Sequence, residues 1–143
     1  MRPSFRVTGF GLPLLLLLLS ATASCAGTLY TLGTSSEIPA AQGDVRLRTT
    51  RNGNTEIKLD VKHLAPPGRI TPGADVFVVW VRGLAKGSEA QNLGALRVDK
   101  NLNAKLTTAT PLQSFDLFIT CETSQTATYP ALLELLPMHY SAP

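Results

Sequence analysis

Six consecutive apolar residues, Val76-Phe77-Val78-Val79-Trp80-Val81, lie between Asp75 and Arg82. Pro72-Gly73 precedes the run, and Gly83 follows it. The stretch has strand length, and its β-branched and aromatic content favours a strand over a helix. A strand apolar at every position needs cover on both faces, so it belongs in the middle of a sheet. It also holds the one Trp of the chain. Whatever else this protein forms must be built around that strand.

The flanking sequence is consistent with sheets. Asp44 to Thr50 alternates, with Val45 and Leu47 on one face and Arg46 and Arg48 on the other. Asn52-Gly53 then supplies a turn that accepts positive φ at little cost. In the next run Ile57, Leu59, Val61 and His63 point one way, and Glu56, Lys58, Asp60 and Lys62 the other. A period of two with one apolar face is the pattern of a half-buried strand, so the two runs predict a hairpin. Pro66-Pro67 ends it. Further strands are expected over Leu93 to Asp99, Ala104 to Thr110, Ser114 to Glu122 and Ala131 to Leu136. In the third of these Phe115, Leu117, Ile119 and Cys121 share a face. About seven short strands with turn signals between them, and no convincing helix, predict an all-β, antiparallel β-sandwich; a closed barrel is the alternative.

With 143 residues the chain is sized for one domain. Residues 1–24 read as an export signal. Arg2 and Arg6 form the basic start, Leu12 to Leu19 is an apolar block interrupted only by Pro13, and Ser20 to Ser24 are small. The block is too short to cross a bilayer, which takes about 20 residues. The expected layout is signal peptide 1–24, tether 25–43, sandwich 44–138 and tail 139–143, with Leu29, Tyr30 and Leu32 able to form a short edge strand inside the tether. Without Arg2 and Arg6, eleven basic residues face ten acidic ones, a net charge near +1. No basic cluster appears, so nucleic acid is not an expected partner.

Cys25 follows Ala23-Ser24 directly, which looks like a bacterial lipoprotein signal with Cys25 as the lipid-attachment residue. Thr22 stands where Leu, Val or Ile is typical. Cleavage after Ala23 is the other outcome; it leaves a soluble protein with Cys25 free to pair with Cys121. With Cys25 lipidated, Cys121 is a buried thiol acting as a small hydrophobe.

Three segments together resemble the extracytoplasmic domain of membrane anti-sigma factors of the sigma-K regulator type. They are Val78-Val79-Trp80-Val81, Asn92-Leu93-Gly94-Ala95-Leu96, and Phe115 through Ser124. The resemblance implies an immunoglobulin-like sandwich. It extends to the exported half alone, because the 24 residues ahead of Cys25 read as a signal and not as a sigma-binding domain with a transmembrane helix.

No catalytic residues, metal ligands or cofactor are expected. His63 and His139 are far apart in sequence and fall in no ligand cluster. No Gly-x-Ser-x-Gly elbow is present, and Cys121 lies on a predicted core strand. Asp60, Asp116 and Glu122 read as outward alternates that aid solubility and protect edges. Trp80 is expected as a core residue. Arg46, Arg48, Lys58 and Lys62, with Glu56 and Asp60, are expected as a solvated ladder, or else as a weak docking surface for an acidic partner or lipid headgroup. Loops Ala65 to Ala74 and Leu84 to Asn92 are the expected binding loops. The sequence thus predicts a non-catalytic envelope protein, exported to the periplasm or cell envelope and tethered through Cys25, that binds another envelope protein or serves as a structural or envelope-sensing module. The alternative is a soluble secreted domain that binds carbohydrate through exposed aromatics.

Overall fold

The computed structural model describes residues 27–143. The signal segment and Cys25 lie outside the described residues. Eight strands form two antiparallel four-stranded sheets. The first sheet contains β1 (Thr28–Thr31), β2 (Gln42–Thr49), β3 (Thr55–Lys62) and β6 (Ala104–Thr110), in that order across it. In the second, β4 (Val76–Gly83) is flanked by β5 (Ala90–Leu96) and β7 (Ser114–Glu122), with β8 (Leu135–Ser141) beyond β7. The only helix among the described residues is one turn, α1 (Pro67–Ile70), in the β3–β4 connection.

The predicted hairpin forms in the register its alternation demands, with Val45 opposite Leu59 and Leu47 opposite Ile57. These side chains are buried, and so is Val61. They face Phe77, Val79 and Val81 of β4 and Phe115, Leu117, Ile119 and Cys121 of β7 in one core cluster. The apolar run is thus the centre of the second sheet. Strand parity divides it, however. Val78 and Trp80 point away from the intersheet core and form a second buried cluster with Phe118. Trp80 is a core residue of the outer layer, not of the layer between the sheets.

Four expectations are corrected. The short edge strand expected at Leu29 and Tyr30 forms as β1, but the rest of residues 28–43 is not a tether. Tyr30 of β1 pairs with Val45 in the ladder, while Leu32, Ile38 and Ala41 enter the main core. Residues 139–141 are not a tail, since β8 runs to Ser141. Pro137 does not stop the strand. β8 is the outer strand of its sheet, where a missing N–H leaves no ladder bond unmade, and the Pro137 carbonyl accepts a bond from Gly33 N–H at 2.9 Å. Tyr140 then packs edge-on to Tyr30 and tilted against Phe115. In turn Leu132 and Leu133, expected in the last strand, are exposed. Finally, β5 begins three residues earlier than predicted. A bulge opposite Val79 and Trp80, with Gly94 at φ +132°, shifts its register, and Val98 keeps a single bridge to Ala104.

Candidate functional site

The two expected binding loops lie at opposite ends of β4, since one precedes Val76 and the other follows Gly83. They do not form one surface. The first, 65–74, packs Ala74 and Ile70 onto the core. The second is shortened to 84–89 by the early start of β5. The candidate surfaces lie instead on the outer faces of the two sheets.

On the first sheet, alternation brings the predicted ladder together. Arg46 stands opposite Lys58, Arg48 opposite Glu56, and Asp44 opposite Asp60. β6 adds Lys105 opposite Asp60, and β1 adds Leu29 opposite Arg46. Arg48 reaches Glu56 at 3.1 Å, Lys58 reaches Glu56 at 3.4 Å, and Lys105 reaches Asp60 at 3.0 Å. Desolvation alone would raise the Glu56 pKa. The Arg48 and Lys58 charges outweigh it and hold the carboxyl below its ordinary value of 4.5. The attraction is therefore fully present above that value and fades as pH falls through the lower folded one. A hollow of about 350 Å³ opens on this face, lined by Arg46, Lys58, Lys62 and Lys105 with Asp44 and Asp60. Sequence reasoning missed Lys105 and Leu29, which join the face through pairing partners distant in sequence.

The outer face of the second sheet is roofed by the connection between β7 and β8, residues 123–134. This strap is rooted by polar contacts along its length. Asn92 Nδ2 donates to the Gln125 and Ala127 carbonyls at 3.0 and 2.9 Å, and Arg97 donates to Gln125 Oε1 at 2.9 Å. Ala131 N–H donates to Glu122 Oε1 at 2.8 Å. Arg82 closes the far end through Glu134 at 2.7 Å, with its guanidinium carbon 4.6 Å from the Phe118 ring centre. Beneath the strap the Trp80 indole N–H donates to Thr120 Oγ1 at 2.8 Å, and that hydroxyl donates to Glu122 Oε1. Glu122 is therefore a structural anchor and not a solubilising alternate. Ala127 packs on the Trp80 cluster. The large apolar residues of the strap face outward: Tyr129 is 77% exposed and Leu132 fully so.

Past the end of the strap, Arg82, Asp116 and His139 stand side by side on β4, β7 and β8. His139 Nδ1 lies 2.7 Å from Asp116 Oδ1. No group of three metal-ligating side chains occurs among the described residues, and no helix among them is long and apolar enough to cross a membrane. His63, expected on the apolar face, takes φ 56° where β3 ends and is exposed, while Leu64 is buried in its stead. Histidine tolerates this left-handed region better than most residues. Cys121 is buried among described residues as a free thiol. Burial pushes its pKa up against an opposing hydrogen bond with Thr71, and the nearby Glu122 charge adds a smaller upward push. A thiol so held is a poor nucleophile and metal ligand.

Comparison with protein families, with curated proteins and with solved structures finds no match to this chain.

Proposed function

We propose that the protein is a non-catalytic interaction module of the cell envelope, exported by its N-terminal signal, anchored by a lipid on Cys25, and bound to another envelope protein through the strap. The observation that carries this reading is the strap itself. It presents Tyr129, Leu132 and Leu133 to solvent within five residues while Gln125, Glu134 and the backbone of Ala127 and Ala131 fix it to the sheet. Exposed apolar side chains clustered on a rooted loop are the features of a contact surface, and Tyr is among the residue types that carry most interface energy. The strand order, with crossings between sheets at β3–β4, β5–β6 and β6–β7, supports an immunoglobulin-like reading and so the resemblance to anti-sigma factor ectodomains. Trp80 is sealed from solvent, so the carbohydrate alternative loses its principal aromatic platform.

A photo-crosslinking residue placed at Leu132 in the envelope-resident protein tests the reading. A discrete protein adduct is expected, lost when Tyr129 and Leu133 are replaced by aspartate. Because all three side chains are exposed, stability should stay within about 0.5 kcal/mol of wild type. Absence of any protein adduct at Leu132 contradicts the assignment.

A further inference from the structure

We infer that the outer face of the first sheet lies flat on an anionic bilayer, which orients the tethered domain with its strap turned away from the membrane. The inference rests on the proposed lipid anchor for geometry and on the sheet itself for chemistry.

The charge distribution is one-sided. Across β2, β3 and β6 the first sheet exposes five cations against three carboxylates. Around the strap of the second sheet, Arg82 and Arg97 are outnumbered by Asp116, Glu122 and Glu134. On the first sheet the cations are incompletely neutralised. Arg46 and Lys62 make no ion pair among the described residues. Arg46 also stands directly opposite Lys58, and like charges in that relation repel. The carboxylates are set the same way, with Asp44 opposite Asp60, and Asp60 Oδ1 is buried without a hydrogen-bond partner. The face is therefore not a self-satisfied ladder. Approach of lipid phosphates relieves the Arg46–Lys58 repulsion and draws the lysines outward, and Lys105 already holds Asp60.

Leu29 supplies an apolar contact on the same face. It is 58% exposed beside Arg46, the mixture of aliphatic and cationic side chains that suits the boundary between headgroups and acyl chains.

The chain entry point fixes which face meets the membrane. Gly27 is seated against the sheet so closely that a Cβ there would lie 2.6 Å from the Leu47 carbonyl oxygen and 3.0 Å from Arg46 Cγ. Cys25 precedes it by two residues, a reach of at most about 7 Å. A lipid on Cys25 holds the bilayer surface beside β1, the edge strand of this sheet.

Sedimentation of the processed chain bearing Cys25→Ser, which leaves the sheet as the only membrane contact under test, decides the proposal. Phosphatidylglycerol-containing vesicles are compared with pure phosphatidylcholine, at low and high salt. Binding to the anionic vesicles is expected to be salt-sensitive and about tenfold or more weaker after Arg46→Glu with Lys62→Glu. The neutral pair Arg46→Gln with Lys62→Gln should give an intermediate loss and retain the wild-type melting curve, which separates lost charge from lost fold. Equal partition of the Cys25→Ser chain onto both vesicles, or unchanged binding of its charge-reversed form, overturns the proposal. Clickable palmitate labelling of wild type and Cys25→Ser reads the anchor separately. With an unlabelled wild type the anchor fails, yet the vesicle preference still decides whether the sheet recognises anionic lipid.

Discussion

Replacing Trp80 by alanine is expected to remove about 3–5 kcal/mol of folding stability, the usual cost of deleting a large buried aromatic side chain. For a domain of this size that is a fall in Tm on the order of 10–20 °C. The expectation follows from complete burial and from what surrounds the ring. Val78 and Phe118 flank it on the sheet, and Ala127 covers it from the strap. Truncation opens a cavity beneath a roof that has no ladder of its own to hold it. The indole N–H also donates to Thr120, which donates in turn to Glu122, which receives Ala131 N–H. Trp80→Phe retains most of the apolar volume and loses only the first bond of that relay, about 1 kcal/mol. Chemical denaturation of the two variants measures the difference. Equal, near-native stability for both would place Trp80 at the surface.

The second large effect is expected at Leu32. Leu32→Ala should cost about 2–5 kcal/mol, as for other buried leucines. Its side chain lies where Gly43 offers only hydrogen, since a Cβ at Gly43 would come within 2.4 Å of Leu32 Cδ1. Its N–H donates to the Gly43 carbonyl at 2.8 Å. A tether would show almost no response, within about 0.5 kcal/mol, so thermal unfolding of this one variant separates an integral segment from a spacer.

That residues 27–43 resemble a tether in sequence has a physical source. They are rich in Thr, Ser, Gly and Ala, and no period marks Leu32, Ile38 and Ala41 as buried. These three reach the core through turns, such as the Ala41 N–H to Ile38 carbonyl bond, and not through one regular element. In contrast the first hairpin is legible because its two faces meet different surroundings. Alternation alone puts Arg46, Arg48, Lys58 and Lys62 on one face. Lys105 and Leu29 belong to the same face only through β3–β6 and β1–β2 pairing, and pairing between distant strands leaves no local signature.

The central strand is legible in a different way. An apolar residue at every position announces cover on both sides, which puts β4 at the middle of a sheet. Which side receives Trp80 is not encoded in a run that is apolar throughout. The cover itself is hidden, because residues 123–130 are mostly small and polar and read as an ordinary loop, while 131–134 read as the start of a strand. Arg82, Asn92, Arg97 and Glu122 hold it there through bonds that only the folded chain brings together. Pro137 misleads for a related reason: proline ends central strands but is tolerated on an outer one.

The two proposed contacts use the two outer faces, one charged and one carrying the strap. That division holds only if β4 is covered on both sides. Trp80 is the one Trp in the chain, so its fluorescence reports the covered side without labelling. Emission shifted to the blue of free tryptophan and unaffected by iodide, with both properties lost in denaturant, is the predicted result. Water-like emission quenched by iodide in the native protein would show the strap open and the Trp80 face exposed, and would contradict a β4 covered on both sides.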